Sequence, residues 1–287
     1  MPPIETRPLD PVKLAVLNRI NRDRAAEGVA PVLWDEAASR VADEYCSNQI
    51  RERTSGHFLT NGVPPYARTS FAGIFGMQYE NAVTWRTTAS GFEEGVLSLA
   101  LHSHAEMLAE QPPNDGHRRT ILDPAATHVG VGYAIVGGSF RMAQEFLTRH
   151  LEFLRVERLP SRPVVLFYGA PVTGRILQFV TIGWEPPPAR LTREEASSRT
   201  SYSYPPPVFA FVEEGNVSLK VAGTVTSDRI RWTGPREFTF RFTPDRPGLW
   251  TLEFYTAAPK DPRPVQGGAV TIWFDVPAPP PMPEASP

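Results

Sequence analysis

The stretch Gly116-His117-Arg118-Arg119-Thr120-Ile121-Leu122-Asp123-Pro124, continuing through Thr127-His128-Val129-Gly130-Val131-Gly132-Tyr133-Ala134, decides how the chain is read. His117 to Leu122 reads as a short helix stopped by Pro124, because proline lacks the N–H a helix needs and disfavours helix in the residue before it. Val129, Val131 and Tyr133 alternate with two glycines and open a strand. Glycine in a strand lets another group approach the backbone closely. The two elements therefore read either as the floor of a cleft displaying His117 and Arg118, or as a surface helix followed by a tight strand. The local pattern leaves both readings open.

Two stretches upstream widen the view. One runs from Leu17-Asn18-Arg19-Ile20-Asn21 through Leu33-Trp34-Asp35 to Ala42; the other from Gly56-His57-Phe58 through Gly62, Pro64 and Arg68 to Glu80-Asn81-Ala82. In this order, and with the stretch above, they resemble the bacterial branch of the CAP superfamily. These are the SCP-like domains related to cysteine-rich secretory proteins, antigen 5 and plant pathogenesis-related proteins. The resemblance covers about residues 10–150 and is silent on the rest.

Composition changes where the resemblance ends. Of 31 prolines, roughly twice the usual ~5% share, ten precede residue 160 and twenty-one lie at or beyond it. At 287 residues the chain is long enough for two domains. The expected division is an extension over 1–9, a CAP-like domain over 10–155, a linker over 156–163 (Leu159-Pro160-Ser161-Arg162-Pro163), a β-domain over 164–277 and a disordered tail over 278–287.

The formal net charge is −2, and no basic stripe interleaves with aromatics, so nothing points to nucleic acid or to an anionic membrane surface. No apolar run approaches a membrane span, and Met1-Pro2-Pro3-Ile4 is not a secretory signal, which reads as a chain either cytoplasmic or already trimmed. The single cysteine, Cys46, excludes an internal disulfide. It sits on the apolar side of a helix with no cationic neighbour, as a buried structural thiol does.

In the first half, Asp10-Pro11 starts a helix whose stripe is Leu14, Leu17, Ile20 and Ala25, ended by Gly28. A second helix follows Trp34-Asp35 and buries Ala38, Val41, Ala42, Tyr45 and Ile50. Residues 54–76 form a long irregular segment carrying His57, of the kind usually kept for function. Glu80 lies in a prospective strand, and residues 92–110 return to helical spacing with His104, Met107 and Glu110 three apart on one face. The turn Gln111-Pro112-Pro113-Asn114-Asp115-Gly116 then returns the chain to His117, within reach of Glu110.

The second half reads as strand after strand. Ile176–Ile182 is an apolar run, and period-two alternation recurs at Val217–Val221, Phe238–Phe242, Trp250–Phe254 and Val270–Phe274. This argues an antiparallel β-sandwich of immunoglobulin or fibronectin type behind an α-β-α CAP-like domain, hence an α+β chain. Residues 184–207 form a Pro-rich crossover with one short helix over Leu191–Ser197, after Thr192. Trp273 falls between Ile272 and Phe274 and is expected to point away from the core.

What the resemblance implies is a cleft holding two histidines and two acids. Matched by position these are His57, Glu80, His117 and Glu110, with Glu106 competing for the last place and His104 and Arg118 beside them. The chain departs from the family at Tyr79, where a glycine is usual, and at Thr120, where bacterial relatives carry asparagine. The implied chemistry is ligand binding, of a lipid, cell-wall polymer or protein, outside the cytoplasm. The alternative is a metal-dependent hydrolase in which His57 and His117 bind Zn²⁺ and Glu80 and Glu110 serve as general base and acid. No Gly-x-Ser-x-Gly, His-Glu-x-x-His or phosphate-cradling loop offers another route.

Overall fold

The structure is a computed structural model and describes residues 9–87, 95–159, 164–212 and 230–275. Residues 1–8 of the expected extension over 1–9, the strand at Val217–Val221, most of the Leu159–Pro163 linker and the tail lie outside the described residues. The chain divides into two compact units. The first comprises residues 1–74, 78–148 and 190–202, and the second residues 75–77, 149–189 and 203–287.

In chain order the first unit is built from α1 (Pro11–Ala26), β1 (Leu33–Trp34), α2 (Glu36–Glu52), α3 (Pro65–Phe71), β2 (Met77–Arg86), α4 (Val96–Ala109), α5 (Gly116–Ile121), β3 (His128–Val136), β4 (Ser139–Thr148) and, from far downstream, α6 (Arg193–Ser198). One sheet of order β1-β3-β4-β2 forms its middle layer. Val129, Val131, Phe140, Met142 and Phe146 face a core shared with Val16 and Ile20 of α1, Leu99 and Met107 of α4 and Ile121 of α5. On the opposite face Ala143 packs with Ala42, Tyr45 and Cys46 of α2. Alternation along two strands thus serves two helical layers, an α-β-α arrangement.

Gly130 and Gly132 belong to this packing. A Cβ on Gly130 would stand 2.2 Å from the Ser39 nitrogen, and one on Gly132 2.2 Å from that of Asp43. The group that approaches the β3 backbone is therefore α2. Of the two readings of this stretch, the tight strand applies to these glycines, while the cleft floor is formed by α5.

The helix beginnings follow their caps. The Asp10 carboxylate accepts from Val12 N at 2.8 Å, and Asp35 accepts from Ala38 N at 2.7 Å. The buried stripe of α1 is Val12, Val16, Ile20 and Arg24, while Leu14 of the expected stripe is 43% exposed. Arg24 can be buried because its guanidinium donates to the carbonyls of Ala30, Ile121, Asp123 and Ala126. The irregular stretch 54–76 contains α3, begun by Pro64-Pro65.

The second unit contains two four-stranded sheets. One has the order β5 (Leu151–Arg158), β6 (Val165–Pro171), β10 (Phe238–Phe242), β9 (Arg231–Trp232); the other β12 (Asp261–Phe274), β11 (Gly248–Ala258), β7 (Ile176–Glu185), β8 (Pro207–Val212). The pairings β5–β6, β6–β10, β9–β10, β7–β8, β7–β11 and β11–β12 are all antiparallel. Phe167, Phe238, Phe240 and Phe242 of the first sheet share one core with Val180, Phe211, Trp250, Leu252, Phe254 and Ile272 of the second.

Three expectations change here. Residues 151–158 form a strand rather than the end of the CAP-like domain and the start of a linker, because every residue from Leu154 to Arg158 has a partner on β6. Arg190–Tyr202, in the middle of the expected crossover, joins the first unit. Trp273 lies outside the core that Ile272 and Phe274 join, as expected, but is half-buried rather than exposed.

Gly130→Ala and Gly132→Ala should each destabilise the protein by about 2–3 kcal/mol or more, since the added methyl meets backbone that cannot move aside. Gly116→Ala, whose Cβ would meet nothing within 4 Å, should leave the unfolding midpoint nearly unchanged. Thermal or urea unfolding of the three variants measures the difference.

Candidate functional site

A cavity of about 960 Å³ in the first unit is lined by His57, Glu80, Asn81, Glu110 and His117 together with Tyr79, residues of α5 and its flanks, and Thr200–Tyr202. The four residues implied by the resemblance therefore line one cavity, as two separate histidine–glutamate pairs.

The first pair is buried. His57 Nδ1 lies 2.8 Å from Glu80 Oε1, and His57 and Glu80 are 8% and 4% exposed. Glu80 is held from behind by Arg68, which donates to its other oxygen and stacks over the Tyr45 ring with Cζ 3.8 Å from the centroid. Glu145 approaches the same guanidinium at 3.8 Å and accepts from Gln78 Nε2. Two carboxyls thus share one arginine in a dry pocket. Burial, and then the charge of Glu80, hold Glu145 well above the usual carboxylate range, so it keeps its proton. A side-chain hydrogen bond between the two carboxyls raises Glu145 and lowers Glu80, as when Glu145 is the donor. Burial also raises Glu80, opposed by Arg68. The carboxyl crowding Glu80 is therefore Glu145, and Glu110 faces His117 instead.

The second pair is open. α4 ends at Ala109, and Glu110 turns out of the helix with φ −54° and ψ 145°. Its carboxylate accepts from His117 N at 2.9 Å and meets His117 Nδ1 at 2.5 Å. The side chains of His117 and Glu110 remain 32% and 26% exposed. Asn81 Nδ2 donates to the His117 carbonyl at 3.2 Å, linking β2 to α5.

His104, expected at the cleft, is a core residue. It is fully buried, with Nε2 3.0 Å from Asp23 Oδ2 and Nδ1 3.1 Å from Gln144 Nε2. The expectation failed because Glu110 leaves the helix on which spacing had grouped the two residues. Glu106 is exposed and does not line the cavity. Arg118 does line it, but its guanidinium is engaged by the Leu108 carbonyl and Glu27, each at 2.9 Å.

Arg68, Glu145 and Tyr202 escaped the sequence reading as site residues. Tyr202 enters on the returning segment. Leu191 N donates to the Thr60 carbonyl at 2.8 Å, Ser55 N to Ser197 Oγ at 3.3 Å, and Leu191 and Ala196 pack on Phe58. The Tyr202 hydroxyl then accepts from Glu80 N at 2.6 Å, and its ring meets His57 edge-on with centroids 5.0 Å apart. β2 is an edge strand, and Tyr202 caps one of its outward N–H groups. The only signal in the sequence was the Thr192-x-x-Glu195 capping box, which announces α6 but not where it docks.

Both histidines commit Nδ1 to a carboxylate, a pairing that orients Nε2 and is common behind metal ligands. Among the described residues, however, no group of three or more His, Cys, Asp or Glu side chains is disposed to hold a metal ion. Among the described residues the cleft is lined by two imidazoles, His57 and His117, short of the three ligands of a typical catalytic zinc site.

With this geometry in place, comparison gives the class. Residues 17–148 match the CAP family, described as the cysteine-rich secretory protein family, and over that stretch the chain is a CAP domain. Solved structures to which the chain is similar include three bacterial proteins. An extracellular protein containing a SCP domain from Bacillus anthracis is 18% identical, with 50% of this chain and 45% of that chain covered and a TM-score of 0.33. An outer surface protein from Borrelia burgdorferi is 16% identical, with 49% and 95% covered and a TM-score of 0.37. A cysteine-rich secretory protein from Staphylococcus aureus is 17% identical, with 50% and 40% covered and a TM-score of 0.31. The chain thus spans less than half the length of the Bacillus and Staphylococcus proteins. No curated protein matches it. Among the described residues, no helix is long and apolar enough to cross a membrane.

Burial, and then the charge of Arg68, lower the His57 pKa from 6.5 to about 4. The unfolded chain therefore takes up this proton first. The stability contributed by neutral His57 is complete above pH ~6.5 and is lost as pH falls toward about 4. The limiting slope is ~1.4 kcal/mol per pH unit. The proton held by Glu145 acts in the opposite sense, because a raised carboxyl pKa favours the folded state at low pH. The comparison that isolates His57 is His57→Asn, which keeps a nitrogen near the Nδ1 position. Its stability should fall less than that of the wild type between pH 6.5 and 4.5, and parallel curves would contradict the assignment.

Proposed function

We propose that the CAP domain is a binding module working outside the cytoplasm, whose cleft takes a polar polymer such as a cell-wall glycan or peptide segment. The carrying observation is the lining. Beside the two histidine–glutamate pairs stand Asn81, Asn114, Asp115, Arg119, Thr120 and Ser201, and Leu122 is the one large aliphatic side chain. Such a wall supplies directional hydrogen bonds and charge beside the apolar surface of Tyr79, Pro113, Leu122, Pro124 and Tyr202. The extracytoplasmic setting draws support from the secretory character of the family. On this reading residues 10–150 and the Arg190–Tyr202 segment form the binding domain. The second unit is an accessory sandwich of immunoglobulin or fibronectin type, supported by its two antiparallel sheets and shared aromatic core.

Titration of soluble peptidoglycan fragments, with palmitate as the apolar control, into wild type, His117→Ala and Glu110→Gln tests the proposal. The expected result is binding of a polar fragment that each substitution weakens about tenfold, the scale of one charge-assisted hydrogen bond. Palmitate binding alone, or fragment binding indifferent to both substitutions, would refute it.

A second reading is a Zn²⁺-dependent hydrolase on the same residues, favoured by one observation, the carboxylate held on Nδ1 of each histidine. Zinc would supply an activated water, with His57 and His117 as its ligands and Glu80 or Glu110 handling the proton. Against it stands the lack of a third converging ligand among the described residues. Under this reading, calorimetric titration of Zn²⁺ gives a signal in wild type that both His57→Ala and His117→Ala diminish. The same heat in all three proteins removes it.

A further inference from the structure

A second cavity of about 650 Å³ in the first unit, separate from the cleft, is lined by four arginines, Arg53, Arg86, Arg141 and Arg193, against one carboxylate, Glu194. Glu194 is taken up by Arg193, whose Nη2 lies 2.7 Å from its Oε1. Arg53, Arg86 and Arg141 have no carboxylate partner among the described residues.

Two observations set this cluster apart from ordinary solvated arginines. The first is Arg141, only 1% exposed, which donates to the carbonyls of Phe140 and Thr54 and leaves Nε with no partner. Burial, and then the charge of Arg86, hold Arg141 below the usual guanidinium range, so the two cations repel across the cavity. Arg24 is buried to the same degree, yet it has Asp123 to offset its charge. The second observation is Arg53. It ends α2 in the left-handed region, with φ 58° and ψ 34°, where glycine is the unstrained choice. A side chain kept in a strained position, at the rim of a cavity already short of negative charge, indicates that the guanidinium itself is used. A basic residue at a helix C-terminus also gains from the helix dipole, but that gain is available without strain two residues earlier, at Arg51 in the last turn.

We propose that this cavity is an anion site for a phosphate- or sulfate-type ligand carrying two or more negative charges. Planar guanidiniums pair with such oxyanions through two parallel hydrogen bonds, and the anion relieves the repulsion that the cluster otherwise carries. α6 brings Arg193 and Ser197 to the cavity, so the returning segment serves this site as well as the cleft. The same chemistry occurs in free phosphate compounds and in phosphodiester polymers.

The test is calorimetric titration of the full chain with inorganic pyrophosphate and, in parallel, with a short glycerol-phosphate oligomer, at low and high salt. At least one should bind, more weakly at high salt; the tighter of the two identifies the source. Arg53→Gly together with Arg86→Gln should weaken binding about tenfold or more, while His117→Ala in the cleft leaves it unchanged. Arg53→Gly alone should hold or raise the melting temperature because it removes the strain, so loss of binding cannot be assigned to unfolding. If neither anion binds, or if the double substitution binds as the wild type does, the proposal fails.

Discussion

One largely buried cation, Arg68, connects the framework of the first unit to its cleft. Its guanidinium reaches from α3 to Glu80 on β2, approaches Glu145 on β4 and lies over Tyr45 of α2. One positive charge cannot neutralise two carboxylates in a dry setting, so one carboxyl keeps its proton and the cluster stays near neutrality. Glu80 is thereby held without freedom to turn toward solvent. What it presents to the cleft is one oxygen, and His57 takes it.

The two histidines consequently offer different chemistry. His57 is immobilised, largely dry and neutral over the physiological range. His117 is half-open and oriented by a local device, the Glu110 carboxylate reaching both its backbone N–H and its Nδ1. One side of the cleft is thus pre-organised by the core and the other by a short turn. A group approaching from solvent meets the more exposed pair, His117 and Glu110, first.

Periodicity showed most of the elements because their exposed and buried faces alternate locally. α1, α2, β10, β11 and β12 were all legible, and the short return after Glu110 brought that residue to His117. Family resemblance supplied His57 and Glu80, which spacing could not. β4 shows where pattern runs out. Read as the strand that finishes the sheet, it also carries Arg141 and Glu145 to the face under α2, and both ionisable side chains are buried there. A strand covered on both faces gives no alternation to mark such residues.

By itself, the sequence determined what depends on neighbours along the chain: the caps at Asp10, Asp35 and Thr192, the helical and strand periods, and the change of character after residue 150. The tertiary structure alone decided which groups meet. It placed α2 against Gly130 and Gly132, turned Glu110 away from His104, brought Glu145 against Glu80, and carried Tyr202 back to a strand 122 residues earlier. The physical reason is that hydrogen bonding within a turn or a helix is set by adjacent residues. The partner of a buried charge, by contrast, is set by which faces pack together, and the order of residues does not contain that until the chain has folded.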